Sequence, residues 1–219
     1  MSSIRSVITN QRPGSLLYRV RRKRFKFFIQ LINQLKKPIK ILDAGGEVFF
    51  WDQMGISQSS KLEITLLNIQ DLKVHKKYFS FIKGDAAKLD KFVNLKKFDI
   101  IFSNSLIEHL QPREQLEFAN KVKKSGTRYF IQTPNKYFPI EPHLMFPLFQ
   151  FLPKSLRIFL ISHFSLGFFN KQNKQKSRQI VESINMLGLA EIKKLFPEAK
   201  IFKEKFLFFN KSYTAYWGF

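Results

Sequence analysis

The chain has 219 residues, of which 44% are hydrophobic, enough for one cored domain with an elaboration and too many for a disordered tail. It contains no cysteine, which excludes a disulfide framework, a thiolate metal site and a cysteine nucleophile. A formal net charge of +22 predicts attraction to polyanions, either nucleic acid or an anionic membrane surface, unless the charge is compositional, since Lys, Asn, Ile and Phe are all abundant.

The opening "MSSIRSVITNQRPGS" is polar and expected to be loose; it has no apolar stretch of the secretory type. Nor does the sequence hold an uninterrupted apolar run long enough to span a bilayer, so a cytoplasmic, and at most membrane-peripheral, location is expected. Residues 16–36 read as a helix: Leu17, Val20, Phe28, Leu31, Ile32 and Leu35 follow helical spacing, basic residues crowd the other faces, and Pro38 stops it.

From there strands and helices alternate. "IKILDA" (39–44), "EITLLNI" (63–69), "YFSFIKGDA" (78–86), "FDIIFSN" (98–104) and "RYFIQTPN" (128–135) are short, nearly continuous apolar runs, as expected of parallel strands covered on both faces. A helix is expected over 112–126, opened by Pro112 and closed by Gly126. This is the doubly wound α/β pattern. Residues 136–169 break it with a Phe- and Pro-dense stretch that reads as an insertion; 170–178 reads as a polar basic loop; a helix ending near Gly188 and a second short one follow. "AKIFKEKFLFF" and "KSYTAYWGF" close the chain as an antiparallel hairpin around Asn210.

In an open parallel sheet, ligands bind beyond the carboxyl ends of the strands. Acidic residues are scarce, 16 against 38 basic, yet Asp43, Glu47, Asp85 and Glu108 all fall just past strand ends, which points to a cationic ligand. Gly45 and Gly46 let the backbone turn tightly and approach a ligand without a Cβ, although a glycine pair also serves in a plain βα turn.

With these strand-end motifs in order, the chain resembles the class I S-adenosylmethionine-dependent methyltransferases. "ILDAGG" looks like their first motif, "LLNI" stands at their ribose-binding position, and "GDA" resembles their adenine loop. "FDIIFSNSLIEHL" is typical of the subgroup acting on small molecules and lipids. The resemblance covers roughly residues 38–135. It implies a Rossmann-like methyltransferase fold: a mostly parallel seven-stranded sheet with an antiparallel closing strand and a Phe/Pro-rich helical insertion. The implied organisation is a basic segment and helix (1–37) and a methyltransferase domain (38–219), with an acceptor lid at about 136–178. S-adenosyl-L-methionine is the implied cofactor. Asp43, Gly45 and Gly46 would hold its methionine part, Asn68 its ribose, and Asp85 and Ala86 its adenine. Ser103 and Asn104 would border the reacting end, with Glu108 and His109 facing the acceptor. The sequence departs from the family at Glu47 and Phe49, where further glycines are usual, and at Asn68, where an acid is usual.

A hydroxyl acceptor needs a general base; His109 is the first candidate and His143 the second, each with the alternative of a hydrogen-bonded structural residue. The four histidines, at 75, 109, 143 and 163, lack metal-ligand spacing, so no metal is expected. The expected partner is a small-molecule, lipid or glycan acceptor, with an anionic membrane surface as a second partner. A nucleic-acid methyltransferase fits the charge but not "SNSLIEH" in place of an "NPPY"-type loop. A non-catalytic protein that keeps the fold is the alternative outside enzymes. The oligomeric state is not legible.

Overall fold

A computed structural model describes residues 16–56, 60–142, 144, 146–166 and 170–219. Five strands, β1 (Ile39–Ala44), β2 (Leu62–Asn68), β3 (Phe79–Lys83), β4 (Ile100–Asn104) and β5 (Arg128–Pro134), form the parallel part of the sheet. A hairpin of β8 (Lys200–Phe206) and β9 (Phe209–Trp217) closes it, β9 running antiparallel to β5. The order across the sheet is β3-β2-β1-β4-β5-β9-β8. β6 (Ile140–Glu141) and β7 (Phe146–Pro147) make a separate two-stranded ribbon.

Both faces of the sheet are covered, which is why the strand sequences lack clean alternation. One face carries α3 (Pro112–Lys124) and α6 (Leu189–Leu195), with Phe118, Ala119, Val122, Ile192 and Phe196 in its core. The other carries α1 (Leu16–Ile32) and α2 (Val48–Gln53), with Phe25, Phe28, Ile32 and Trp51 packed on Phe102 and Phe130. α1 is therefore part of the same core. Its Arg24, expected among the solvent-facing basic residues, is buried: Nη1 donates to Glu204 Oε2 (2.7 Å) and Nη2 to Asn104 Oδ1 (2.7 Å).

The chain leaves the sheet at Asn135 and returns at Leu187, and these two residues form a parallel bridge. Between them, α4 (Lys154–His163) and α5 (Lys174–Glu182) pack on each other around Leu144, Phe149, Ile161, Leu166, Ile180 and Val181. The Phe-rich insertion thus has its own small core. α5 begins inside the stretch expected to be a loop, because Asn173 caps it, its Oδ1 accepting from Lys176 N (2.8 Å). Gly188 opens α6 rather than ending the preceding helix: its N–H donates to Glu191 Oε2 (3.1 Å). Lys136, at the root of the insertion, pairs with the same Glu191, which holds that carboxyl below its ordinary value and the ammonium above its own.

Candidate active site at the carboxyl edge of the sheet

Strand order reverses between β1 and β4, and the residues following these two strands meet there. Gly45 has φ +75°, a conformation open to glycine, and a Cβ at this position would lie 2.8 Å from Leu106 Cδ1. Gly46 is tighter: a Cβ would fall 1.9 Å from Asp43 Oδ2. The carboxylate of Asp43 therefore sits under the turn, and it accepts a hydrogen bond from Trp51 Nε1 at 2.7 Å. Both Asp43 and Trp51 are buried. The acid at the end of the first strand ties that strand to the helix that follows it.

The strand tips are stitched to one another. Gly45 N donates to Leu67 O (2.8 Å), Ser103 Oγ to Ala44 O (3.0 Å), and Gly84 N to Asn68 O (3.0 Å). Asn68 is buried, and both ends of its amide are engaged: Nδ2 donates to Gly46 O (3.0 Å) and Oδ1 accepts from Gln70 N (3.1 Å). It stands at the end of β2, and its hydrogen bonds brace the glycine turn. Asp85 caps the short helical turn Ala86–Lys91 through Oδ1 and Ala87 N (2.9 Å), leaving Oδ2 at 3.7 Å from Lys88 Nζ.

On the other side of the switch point, Asn104 gives its carbonyl oxygen to Arg24. Ser105 follows with φ +57°, an uncommon conformation for a residue with a side chain, held by its N–H on Gln132 O and its hydroxyl on Gln132 Oε1 (both 3.1 Å). Glu108 is buried, and Thr133 Oγ1 donates to its Oε2 (3.1 Å). His109 beside it is half-buried. The return of the insertion lies against this segment: Asn185 N donates to Glu108 O (2.6 Å) and Asn185 Nδ2 to Leu110 O (3.2 Å). His143 lies outside the described residues.

The structure thus brings together Asp43, Gly45, Gly46, Asn68, Ser103 and Asn104, with Asp85–Ala86 one hydrogen bond further on at the β3 loop and Glu108–His109 across the β4 turn. Trp51, Ser105 and Thr133 were missed. Trp51 alone left a signal, as a large aromatic with a polar N–H in the helix after the turn. Among the described residues, no group of three or more Asp, Glu or His side chains is gathered to hold a metal ion. No described helix is long and apolar enough to cross a membrane.

The arrangement fits a nucleoside cofactor in one respect that can be tested on the chain itself. The backbone at 45–46 carries no side chain, since a Cβ there would strike Leu106 or Asp43, and it lies beside polar tips from β1, β2 and β3. It departs in another: Asn68 brings no charge to a ribose and spends its amide on the turn.

No family model matches the chain. A stretch of 63 residues is 38% identical to two uncharacterised proteins of Mycobacterium tuberculosis, one from strain CDC 1551 and one from H37Rv. That stretch is 28% of this chain and 22% of each relative. Solved structures match over most of the chain. The plantazolicin methyltransferase BpumL, in complex with SAH, is 14% identical with a TM-score of 0.57, covering 97% of this chain and 87% of that one. A SAM-dependent methyltransferase from Aquifex aeolicus is 13% identical with a TM-score of 0.52, covering 98% and 96%. The methyltransferase domain of bacterial CtHen1-C is 12% identical with a TM-score of 0.52, covering 90% and 97%. The chain has the Rossmann-like fold of the class I methyltransferases.

Proposed function

We propose that this chain is an S-adenosylmethionine-dependent methyltransferase that moves a methyl group to an oxygen, nitrogen or carbon of a small-molecule, lipid or glycan acceptor. One observation carries the reading: at the switch point of a β3-β2-β1-β4-β5-β9-β8 sheet, the turn after β1 presents bare backbone at Gly45 and Gly46, packed over the inward carboxylate of Asp43. The likeness to BpumL, solved with SAH, supports the choice of cofactor.

Asp43, Gly45 and Gly46 would hold the methionine part, with Asn68 keeping the turn in shape at the ribose. Asp85 and Ala86 would face the adenine. Ser103 and Asn104 would border the reacting end. When bound, the sulfonium supplies an already activated methyl group, so the chain's task is alignment and exclusion of water. Glu108, interior and bonded to Thr133, would act by fixing the β4 turn that presents His109. His109 would take the acceptor's proton. Replacing it by Gln is expected to cut turnover about 100-fold, the scale of a general base, with cofactor affinity unchanged in calorimetry. Full turnover in that variant removes His109 from the role.

The direct test of the cofactor is thermal melting and calorimetry with S-adenosylmethionine and S-adenosylhomocysteine. Ligand at about 100 times its Kd adds roughly 2.7 kcal/mol, which for a chain of this size raises Tm by roughly 5–10 °C. No heat and no shift with either compound would leave a non-catalytic protein that keeps the fold. The insertion, which has its own core and returns along the β4 turn through Asn185, would be the acceptor lid.

A further inference from the structure

The β8–β9 hairpin projects from the same carboxyl edge as the candidate site. β9 begins opposite the end of β5, with Ser212 paired to Pro134, and the turn lies between the paired Phe206 and Phe209. Its tip is apolar and bare: Leu207 is 76% exposed, Phe208 96% and Phe209 52%. Leu207 has φ +52°, a left-handed conformation that a glycine or asparagine would adopt more cheaply, so turn geometry does not call for a leucine there. A second exposed leucine repeats the feature. Leu148, in the insertion, has φ +58° and is 56% exposed. The two are joined at one root: Phe206 packs edge-on against Phe138 (centroids 6.0 Å), and Leu148 N donates to the neighbouring Pro139 O (2.7 Å).

The surroundings are basic. Lys203 and Lys205 are exposed on β8. α1 runs alongside, Phe27 stacked on Phe202 at 4.4 Å and Arg24 bonded to both Glu204 and Asn104, so its earlier turns, with exposed Arg22 and Lys23, lie toward the same edge. The whole chain carries +22.

We propose that the Leu207–Phe209 tip, with Leu148, is a membrane-docking element that inserts into the apolar layer of an anionic lipid surface while the flanking cations meet its headgroups. Charge complementarity selects this occupant. So does size: three large side chains on a narrow convex tip cover roughly 500 Å², short of the roughly 800 Å² per partner that a standard protein interface buries. The proposal deepens the acceptor reading, since it places the site's open edge at a lipid surface, but the binding it requires needs neither cofactor nor turnover.

The test is flotation of the full chain with phosphatidylcholine vesicles containing phosphatidylglycerol, without cofactor, at low salt. The wild type is expected to float with these vesicles, to be released by salt and to stay behind with pure phosphatidylcholine. The double change Leu207→Ser and Phe208→Ser is expected to lower the partition coefficient about tenfold or more, with Tm unchanged because both side chains stand in solvent. Because the chain lacks cysteine, Phe208→Cys gives a single labelling site. An environment-sensitive dye there should shift to the blue when anionic vesicles are added. A wild type that does not float overturns the proposal, as does a double variant that floats unchanged. A dye already shifted without lipid, in a chain that sediments as a dimer, assigns the tip to a second copy instead. Failure here with intact cofactor binding leaves methyl transfer standing, and the converse result leaves the membrane element standing.

Discussion

Gly46→Ala is expected to lower Tm by roughly 6–12 °C and to abolish the thermal shift with S-adenosylmethionine. The new Cβ would fall 1.9 Å from Asp43 Oδ2 and 2.1 Å from Cγ, distances no side chain can occupy. Asp43 cannot retreat by moving its backbone, which is locked in β1 between β2 and β4, opposite Leu66 and Phe102. Its carboxylate must therefore swing away, and the 2.7 Å bond from Trp51 Nε1 breaks. A buried indole N–H without a partner costs about 1–3 kcal/mol. Trp51 then loses its fit against Phe25 and Phe102, whose rings lie 5.8 and 5.0 Å away, which brings the total to about 3 kcal/mol. Gly55→Ala is the control. Unlike Gly46 it has positive φ, +78°, but nothing lies within 4 Å of a Cβ there, so it should cost only about 1 kcal/mol of backbone strain. Equal melting of the two variants would mean that the Asp43 carboxylate does not sit beneath the turn.

The same contact shows what a sequence can and cannot disclose. β1 was legible to its last residue, because a short apolar run flanked by Pro38 and a glycine pair has few other uses in a cored domain. The antiparallel closing hairpin was legible too, with its turn at 207–208, slightly before Asn210. The direction of the Asp43 side chain was not. Strand position places a carboxylate at the ligand edge, whereas only the packing of α2 decides that Trp51 Nε1 claims one of its oxygens. Asn68 is a parallel case: its place at the tip of β2 follows from the strand pattern, whereas its use as a brace depends on where a turn 22 residues earlier sets the Gly46 carbonyl. The start of α5 was hidden for a different reason. Its sequence is so basic that the apolar pair Ile180 and Val181 was the sole packing signal, and the cap at Asn173 was read as loop composition.

Arg24 escaped for the reason that makes its cluster consequential. A helix with basic residues at 21, 22, 23, 24 and 26 looks solvated all along one side, yet Arg24 is inside with Glu204, and the half-buried Lys211 reaches the same carboxylate. Glu204 is the carboxylate shared by both cations, at 2.7 Å from Arg24 Nη1 and 3.4 Å from Lys211 Nζ. Burial holds the Lys211 ammonium below its ordinary pKa, Glu204 pulls it back up, and Arg24 pushes it down. Glu204→Gln removes the one favourable influence and leaves the buried Arg24 and the half-buried Lys211 facing each other, with Arg21 adding to the repulsion. The expected cost is about 3–5 kcal/mol at neutral pH, larger than that of Arg24→Met, which leaves Glu204 with Lys211 as a neutralised pair. The pH dependence has a definite sign. A lysine whose folded pKa is depressed penalises the fold below that pKa, where it is charged in both states. The penalty fades as pH rises toward the ordinary 10.5, because the folded chain sheds its proton first. The gap between Glu204→Gln and wild type should therefore narrow on titration from neutral pH toward pH 10 in denaturant melts, and Lys211→Met in the Glu204→Gln background should recover part of the loss, Arg24 remaining without its carboxylate. A gap that stays constant over that range would show that the charges of Arg24 and Lys211 do not set the stability of the edge between α1 and the closing hairpin.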